Sequence, residues 1–223
     1  MRYPVPGRVY PGPRGAVIFD CDGLLVTTES AWDAAYRELF TRYGCEVGPY
    51  DRDRLRGLDL VGVGHVLSEL LPTGVPPDVL GAEALALMRG RLDEVIAPMP
   101  GAVELVTELT GTRPLGVASN APADVVRAHL SRFFDVTGLV IVGGDMVRAP
   151  KPRPDVYLAA CEALHADPEQ TWALEDSAVG VAAASAAGLY VVGVPHHADE
   201  PLLCDLQVES LEDPRLRGAL LPG

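Results

Sequence analysis

The sequence predicts an α/β fold in which a parallel β-sheet is flanked by helices on both faces and interrupted by an all-helical insertion. From residue 101 onward, short apolar segments alternate with helical ones, and this alternation is typical of a parallel sheet. More than 90 residues separate the first predicted strand, at 15–20, from the second, at 114–118. Because a βαβ unit takes only about 30 residues, the extra length indicates an inserted domain.

The inserted residues have the apolar spacing of helices rather than strands. Three segments show it: 29–43, 59–71 and 78–96. Thr28 is the expected N-cap of the first of these helices, and an irregular Pro-, Gly- and Asp-rich connection is expected from Gly44 to Gly57. We therefore predict two domains, one formed by 1–28 and 99–223 and one by 29–98.

The chain after residue 100 is predicted to alternate regularly between helix and strand. Helices are expected at 101–110, 121–132, 154–165 and 177–187, and strands at 114–118, 138–143, 171–175 and 189–194. Gly188 is the expected C-cap of the Ala-rich helix before it. The tail, with Leu206, Val208 and Leu211, is expected to add an edge strand and a last helix.

Composition limits the classes of partner. The 223 residues are 48% hydrophobic and carry a net charge of −13, which argues against nucleic acid and anionic membrane surfaces. No apolar segment approaches the roughly 18 residues of a membrane span, and the proline-rich N-terminus lacks the apolar core of a signal peptide. The four cysteines are widely spaced, as in a reduced protein. We expect a cytoplasmic protein that is a monomer or a weak dimer.

Two carboxylates follow the first strand directly. Asp20 and Asp22 come after the apolar residues 16–19 and are followed by Gly23, which permits a sharp turn. Alternation along an extended chain places both aspartates on one side. At about 4 Å apart they would repel by roughly 4 kcal/mol at an effective dielectric near 20. Such a pair is expected to need a cation, a proton or a catalytic task.

Three further strands are followed by polar residues where each strand ends. Ser119-Asn120 follows 114–118, a proline-flanked Lys151 follows 138–143, and Glu175-Asp176 ends 171–175. Ligands bind outside the carboxyl ends of the strands in open α/β sheets. Each feature alone could be a helix cap or a surface residue, but all four together at one edge indicate a single site.

These residue types favour phosphorus chemistry with a hard cation. Oxygen ligands from Asp20 and Asp176, with Glu175 as a further candidate, suit Mg²⁺, whereas no histidine or cysteine has the spacing of a zinc site. Amides at helix starts, a serine hydroxyl and a lysine can hold a phosphoryl group. One of the two aspartates would attack phosphorus, forming an aspartyl phosphate, and the other would transfer protons. The residues alone do not decide which aspartate takes which role.

The four motifs resemble those of the haloacid dehalogenase superfamily, in its β-phosphoglucomutase-like phosphatase branch with a small helical cap. The resemblance covers about residues 15–210 and includes the turn Pro98-Met99-Pro100-Gly101, which looks like the family's return from cap to core. It implies a Rossmann-like parallel sheet core with a small inserted α-helical cap domain. The implied cap helices would close over the substrate and exclude water.

The resemblance also implies a role for each matched residue. Asp20 would be the nucleophile and Asp22 the acid/base, while Ser119 and Lys151 would hold the phosphoryl group, which makes Lys151 catalytic as well. Asn120, beside Ser119, is a further candidate for substrate binding. Mg²⁺ would be held by Asp20, by the backbone carbonyl of Asp22, and by Asp176, with Glu175 in or just outside the coordination sphere. The implied activity is Mg²⁺-dependent hydrolysis of small phosphomonoesters, sugar phosphates in particular.

Two alternatives stay open, a sugar-phosphate mutase and a non-catalytic binding protein of the same fold. Trp32 stands near the place of a histidine in the mutases, and Leu60 near the place of their phosphate-binding arginine, which disfavours the first. No motif residue is lost, which disfavours the second. Arg56 is the candidate substrate contact from the cap. His196 and His197 are expected in a solvated loop, and no partner is evident for His129.

Overall fold

The computed structural model describes residues 11–12, 14–55, 57–91, 96–195 and 201–221. The chain forms two compact units. One contains the described residues up to Val26 together with those from Pro98 onward, and the other is Thr27–Ala97. No helix in the described ranges is both long enough and apolar enough to cross a lipid bilayer.

A parallel sheet forms the centre of the first unit, so the predicted fold class is confirmed. The described chain contributes six strands: β1 (Val17–Phe19), β4 (Leu115–Ala118), β5 (Val140–Val142), β6 (Trp172–Glu175), β7 (Tyr190–Gly193) and β8 (Leu206–Gln207). They are ordered β5-β4-β1-β6-β7-β8, and every neighbouring pair is parallel. Each lies within a segment predicted as a strand, including the edge strand of the tail.

Helices connect and flank these strands. They are α5 (Ala102–Leu109), α6 (Ala123–Leu130), α7 (Asp155–Ala163), α8 (Ala178–Ala186) and α9 (Pro214–Leu220), with 3₁₀ turns at Gly144–Met146 and Pro168–Gln170. Helices α5 to α8 agree with their predictions to within one or two residues at either end, and α9 is the last helix expected in the tail, for which no bounds were predicted. Gly188 follows α8 with φ of 91°, a left-handed conformation that suits glycine, and so ends the helix as expected.

The central strands are buried on both faces. Val17, Ile18 and Phe19 are all 0% exposed, and the four residues of β6 are equally inaccessible. Strands covered by helices on both faces are continuous apolar runs rather than alternating ones, and this is the pattern that predicts β1 from the sequence. The register pairs Phe19 with Val117 on β4 and with Leu174 on β6, so these three strands end side by side.

The second unit is helical, with one helix that the sequence analysis missed. Its helices are α1 (Glu29–Arg42), α2 (Pro49–Leu55), α3 (Leu60–Leu70) and α4 (Pro77–Arg89), and short strands β2 (Val26–Thr27) and β3 (Ala97–Pro98) pair at its chain ends. The prediction of an irregular connection from Gly44 to Gly57 is wrong at Pro49–Leu55, which forms α2. There the Gly48 amide donates to Asp51 Oδ2 at 2.9 Å, and Pro49 occupies the first helical position, where its missing N–H costs nothing.

Two other details of this unit differ from expectation. Thr28 precedes α1, but its side chain makes no capping hydrogen bond, so it takes the N-cap position without the predicted function. Helix α4 ends at Arg89 rather than near residue 96. Residues 92–95 of that predicted helix lie outside the described ranges.

Helices α3 and α4 approach each other closely at two glycines. A Cβ atom on Gly64 would lie 2.0 Å from the Pro77 carbonyl oxygen, and one on Gly81 would lie 2.5 Å from the Leu60 carbonyl oxygen. Both clashes are with backbone, which cannot rotate away as a side chain can. The contact between these helices therefore requires residues without a side chain.

We predict that Gly64→Ala destabilises the protein by about 2 kcal/mol or more, because overpacking against fixed backbone forces the helices apart. The matched control is Gly218→Ala in α9, where an added Cβ meets nothing within 4 Å and alanine is favoured over glycine by up to about 1 kcal/mol. Urea unfolding followed by circular dichroism measures both. Equal stability of the two variants would show that α3 and α4 separate at little cost.

Candidate active site

The candidate site begins at Asp20, directly after β1. The Asp20 amide donates to the Leu174 carbonyl at 3.0 Å, which continues the hydrogen bonding between β1 and β6 past the end of the strand. Its carboxylate Oδ1 accepts from Lys151 Nζ at 2.5 Å. Both side chains are at least nine-tenths buried, so this ion pair lies away from bulk water.

Lys151 is the only lysine in the sequence, whereas arginine occurs 17 times. Its ammonium lies between two carboxylates, Asp20 Oδ1 at 2.5 Å and Glu175 Oε1 at 2.6 Å. A planar guanidinium has a larger, forked shape and is not interchangeable with this compact charge. The single lysine of the chain therefore lies in the candidate site, while every other Lys or Arg position is arginine.

Asn120 fixes the backbone of Lys151. The Lys151 amide donates to Asn120 Oδ1 at 2.8 Å, and Asn120 Nδ2 donates to the Lys151 carbonyl at 3.3 Å. This two-way contact ties the loop after β5 to the loop after β4. Sequence analysis assigned Asn120 to substrate binding, and the structure adds this contact with the lysine loop.

Glu175 is completely buried at the end of β6 and is held by several donors. Besides Lys151, the Tyr157 hydroxyl donates to Glu175 Oε1 at 2.6 Å, and the Ser177 hydroxyl donates to Oε2 at 3.3 Å. Tyr157 also lies under the ammonium, with Lys151 Nζ 5.1 Å from the ring centre. A buried carboxylate is stable only when it is paired in this way.

Asp176 completes a group of carboxylates that could hold a cation. One oxygen from each of Asp20, Glu175 and Asp176 lies within 4.8 Å of the others. An all-oxygen donor set of this kind fits a hard divalent ion such as Mg²⁺ rather than a thiophilic metal. The residues present therefore suit the cation that the sequence predicted.

Electrostatic effects in this group are strong. Burial raises the pKa of the Asp20 carboxyl well above its ordinary value, Lys151 opposes this rise, and Glu175, Asp176 and Asp22 add to it by repulsion. Burial alone would lower the pKa of Lys151, but attraction to Asp20 and Glu175 outweighs it, so that pKa is raised and the lysine stays charged. A further cation would favour the ionised form of Asp20.

Asp22 and Ser119 contact each other beside this group. The Ser119 hydroxyl donates to Asp22 Oδ2 at 3.2 Å and accepts from the Ala121 amide at 3.1 Å. Gly23 has φ of 94° and starts the turn that carries the chain away from Asp22. The loops after β1 and β4 thus bring together the two residues that sequence analysis had placed in the same site.

Other candidates fall outside this description or were missed. Arg56, His196 and His197 lie outside the described residues. Tyr157 was missed because its position on α7 shows only a buried aromatic, and nothing in its spacing indicates that its hydroxyl reaches Glu175. Sequence analysis also found no partner for His129, yet the structure brings it close to Cys21 and Asp22.

Gly180 was missed as well, although it shapes the site. A Cβ atom at this position would lie 2.0 Å from three atoms of the Glu175 carboxylate. Its amide donates to the Ser177 hydroxyl at 3.1 Å, which caps the start of α8. Because Gly180 has no side chain, the Glu175 carboxylate has space to accept hydrogen bonds from Lys151 and Tyr157.

We predict that Gly180→Ala destabilises the protein by about 1–3 kcal/mol, because Glu175 must leave its position. The same substitution should cost much less in a Glu175→Ala background, where the clashing carboxylate is gone. A double-mutant cycle of unfolding free energies isolates this coupling. Equal costs in both backgrounds would mean that the added methyl acts elsewhere in α8.

Comparisons with known proteins identify the family of the chain. The family model described as haloacid dehalogenase-like hydrolase matches residues 15–188. The chain is 31% identical over 183 residues to fructose-1-phosphate phosphatase YqaB of Escherichia coli, covering 80% of this chain and 95% of that protein. It is likewise 31% identical to a phosphorylated carbohydrates phosphatase of Thermotoga maritima, covering 83% and 87%.

A solved structure gives the same result for the fold. The crystal structure of CbbY from Rhodobacter sphaeroides in complex with phosphate superimposes with a TM-score of 0.77 at 28% identity, covering 89% of this chain and 95% of that chain. The family model spans the sheet from β1 through α8 and contains all four polar motifs. The resemblance found in the sequence is confirmed, and the chain belongs to the haloacid dehalogenase-like hydrolase family.

Proposed function

We propose that the protein is a Mg²⁺-dependent phosphatase that hydrolyses small phosphomonoesters, sugar phosphates in particular, through an aspartyl phosphate on Asp20. The carrying observation is the position of the Asp20 carboxylate, 2.5 Å from the Lys151 ammonium and beside Glu175 and Asp176 at the carboxyl end of the sheet. This is where a nucleophile, a fixed positive charge and ligands for a cation are needed together.

Asp20 is the proposed nucleophile. Its carboxylate attacks phosphorus, and the bond from phosphorus to the ester oxygen breaks. An anion approaching a phosphate dianion meets strong repulsion, which Lys151 reduces because it remains charged in its buried position. Bound Mg²⁺, held by Asp20, Asp176 and the Asp22 carbonyl with Glu175 nearby, would supply the remaining neutralisation of charge.

Asp22 is the proposed acid and base. In the first step its carboxyl gives a proton to the leaving oxygen, which departs as an alcohol. In the second step its carboxylate takes a proton from a water molecule that attacks the aspartyl phosphate, which releases phosphate and restores Asp20. The Ser119 hydroxyl donates to Asp22 Oδ2 at 3.2 Å and so orients this carboxyl. Once Asp22 is protonated, the same hydroxyl can donate to a phosphoryl oxygen instead.

The names of the relatives support the substrate class. Those of YqaB and of the Thermotoga protein specify fructose 1-phosphate and phosphorylated carbohydrates. The net charge of −13 does not oppose such substrates, because binding an anion needs only a local positive site. We further propose that Thr27–Ala97 is the cap domain of this phosphatase.

We predict that the full-length protein releases phosphate from sugar phosphates in the presence of Mg²⁺ and that EDTA abolishes release. A panel of phosphomonoesters assayed for inorganic phosphate measures both effects. Asp20→Asn is the control, since it removes the nucleophile while leaving β1 unchanged, and it should show no turnover above background. Absence of release from every ester would favour a mutase or a binding protein, and a bisphosphate-primed isomerase assay would separate these two.

Replacing Lys151 should reduce kcat/KM by at least roughly 10²-fold, the usual loss when a preorganised electrostatic contact is removed. Lys151→Met removes the charge, and Lys151→Arg keeps it with the wrong shape, so both should be impaired. Arg153→Ala is the matched control, an exposed basic residue of the same loop, and should retain activity. A Lys151→Met enzyme within threefold of the parent would make the lysine purely structural.

A further inference from the structure

Beside Asp20, the structure brings together a second group of side chains that the proposed hydrolysis uses only in part. Cys21 Sγ, an oxygen of Asp22 and a ring nitrogen of His129 all lie within 4.8 Å of one another. Cys21 is in the turn after β1, and His129 is in the last turn of α6. Residues 108 positions apart in the chain thus meet at one point.

His129 supplies the independent evidence that this point is suited to a ligand. Its side chain belongs to a residue that is only 1% exposed, yet neither ring nitrogen has a hydrogen-bond partner among the residues that the structure describes. Leaving a buried polar group unsatisfied costs about 1–3 kcal/mol. A bound ion would satisfy the imidazole nitrogen that faces Cys21 and Asp22.

The donor types identify the class of ion. A thiolate, an imidazole and a carboxylate are the three ligand types that zinc uses in proteins, and a three-residue set leaves the fourth position to water. Soft sulfur does not suit Mg²⁺, which prefers oxygen. The group therefore differs in chemistry from the all-oxygen group of Asp20, Glu175 and Asp176.

We propose that Cys21, Asp22 and His129 form a second metal site that binds thiophilic divalent ions such as Zn²⁺. Binding forms one bond each from sulfur, oxygen and nitrogen to the metal, and the proton of the Cys21 thiol passes to water. The three donor atoms lie within 4.8 Å of one another, and rotation of the side chains would bring each to about 2.0–2.3 Å from a shared ion. Metal binding itself does not depend on the proposed phosphatase activity.

The site has a functional consequence because Asp22 belongs to both groups. A carboxylate that is bound to Zn²⁺ is a weaker base and is no longer free to be protonated, so Asp22 would lose its proposed role in proton transfer. Thiophilic ions would therefore inhibit the hydrolase at a place distinct from the Mg²⁺ ligands Asp20 and Asp176. Excess Mg²⁺ would not relieve this inhibition, since it does not compete for sulfur.

Cobalt is the spectroscopic probe for the site. We expect one equivalent of Co²⁺, added to the full-length protein in excess Mg²⁺, to produce the sulfur-to-cobalt charge-transfer band of a thiolate complex. Cys21→Ser should lose the band, and His129→Leu should weaken Co²⁺ binding by at least about 10-fold. Cys161→Ser is the matched control, because Cys161 is a second buried free thiol and its loss should leave the band unchanged.

Several results would overturn the proposal. They are the absence of the charge-transfer band, its survival in Cys21→Ser, or Zn²⁺ inhibition that excess Mg²⁺ fully relieves. If a variant fails to fold, zinc X-ray absorption on the unmodified protein in excess Mg²⁺ still tests whether the metal binds at the proposed site. One sulfur neighbour with nitrogen and oxygen neighbours supports the site, and oxygen neighbours alone refute it. The cobalt band and the X-ray absorption spectrum measure metal binding, so these two tests stand even if no phosphatase activity is found.

Discussion

The buried ammonium of Lys151 between Asp20 and Glu175 is the interaction on which the rest of the structure depends. Removing one partner from a buried ion pair costs about 3–5 kcal/mol, because the other charge is left uncompensated. The segments that follow β1, β4 and β5 all contribute to this one contact. Asn120 holds the lysine backbone, Tyr157 and Lys151 both donate to Glu175, and the end of β1 delivers Asp20. A sheet whose strands end side by side is what allows loops so distant in sequence to meet.

Much of this arrangement could be predicted because it follows from the common direction of the strands in a parallel sheet. A parallel sheet aligns the carboxyl ends of its strands, so a polar residue directly after each apolar segment is already assigned to one edge. Asp20, Ser119 and Glu175 could be placed in this way without knowing which strands are neighbours. Lys151 required one further step, since it lies on a loop, and the flanking prolines indicated that its backbone is fixed.

The features that could not be predicted depend on contacts between the helices and the ends of the strands. Tyr157 and Gly180 act through Glu175, one by donating a hydrogen bond and the other by leaving space, and neither function has a signature in local sequence. Helix α2 was missed because its start is fixed by the Gly48–Asp51 contact in a segment whose composition indicates a loop. His129 was dismissed for lack of a nearby partner, since spacing along the chain says nothing about which helix residue faces the turn after β1.

The two groups of metal-ligand side chains are linked by the backbone itself. Asp20, Cys21 and Asp22 are consecutive, and alternation sends Cys21 to the opposite side of the strand from Asp20. A turn then begins at Gly23, so Asp22 lies where the extended strand ends and its carboxylate can be near Cys21 as well as Ser119. A cysteine between these two aspartates is thus a candidate ligand rather than only a core residue when a buried imidazole faces it. The same short turn thus contributes Asp20 to the proposed Mg²⁺ site and places Asp22, the proposed acid/base, beside the softer donors Cys21 and His129.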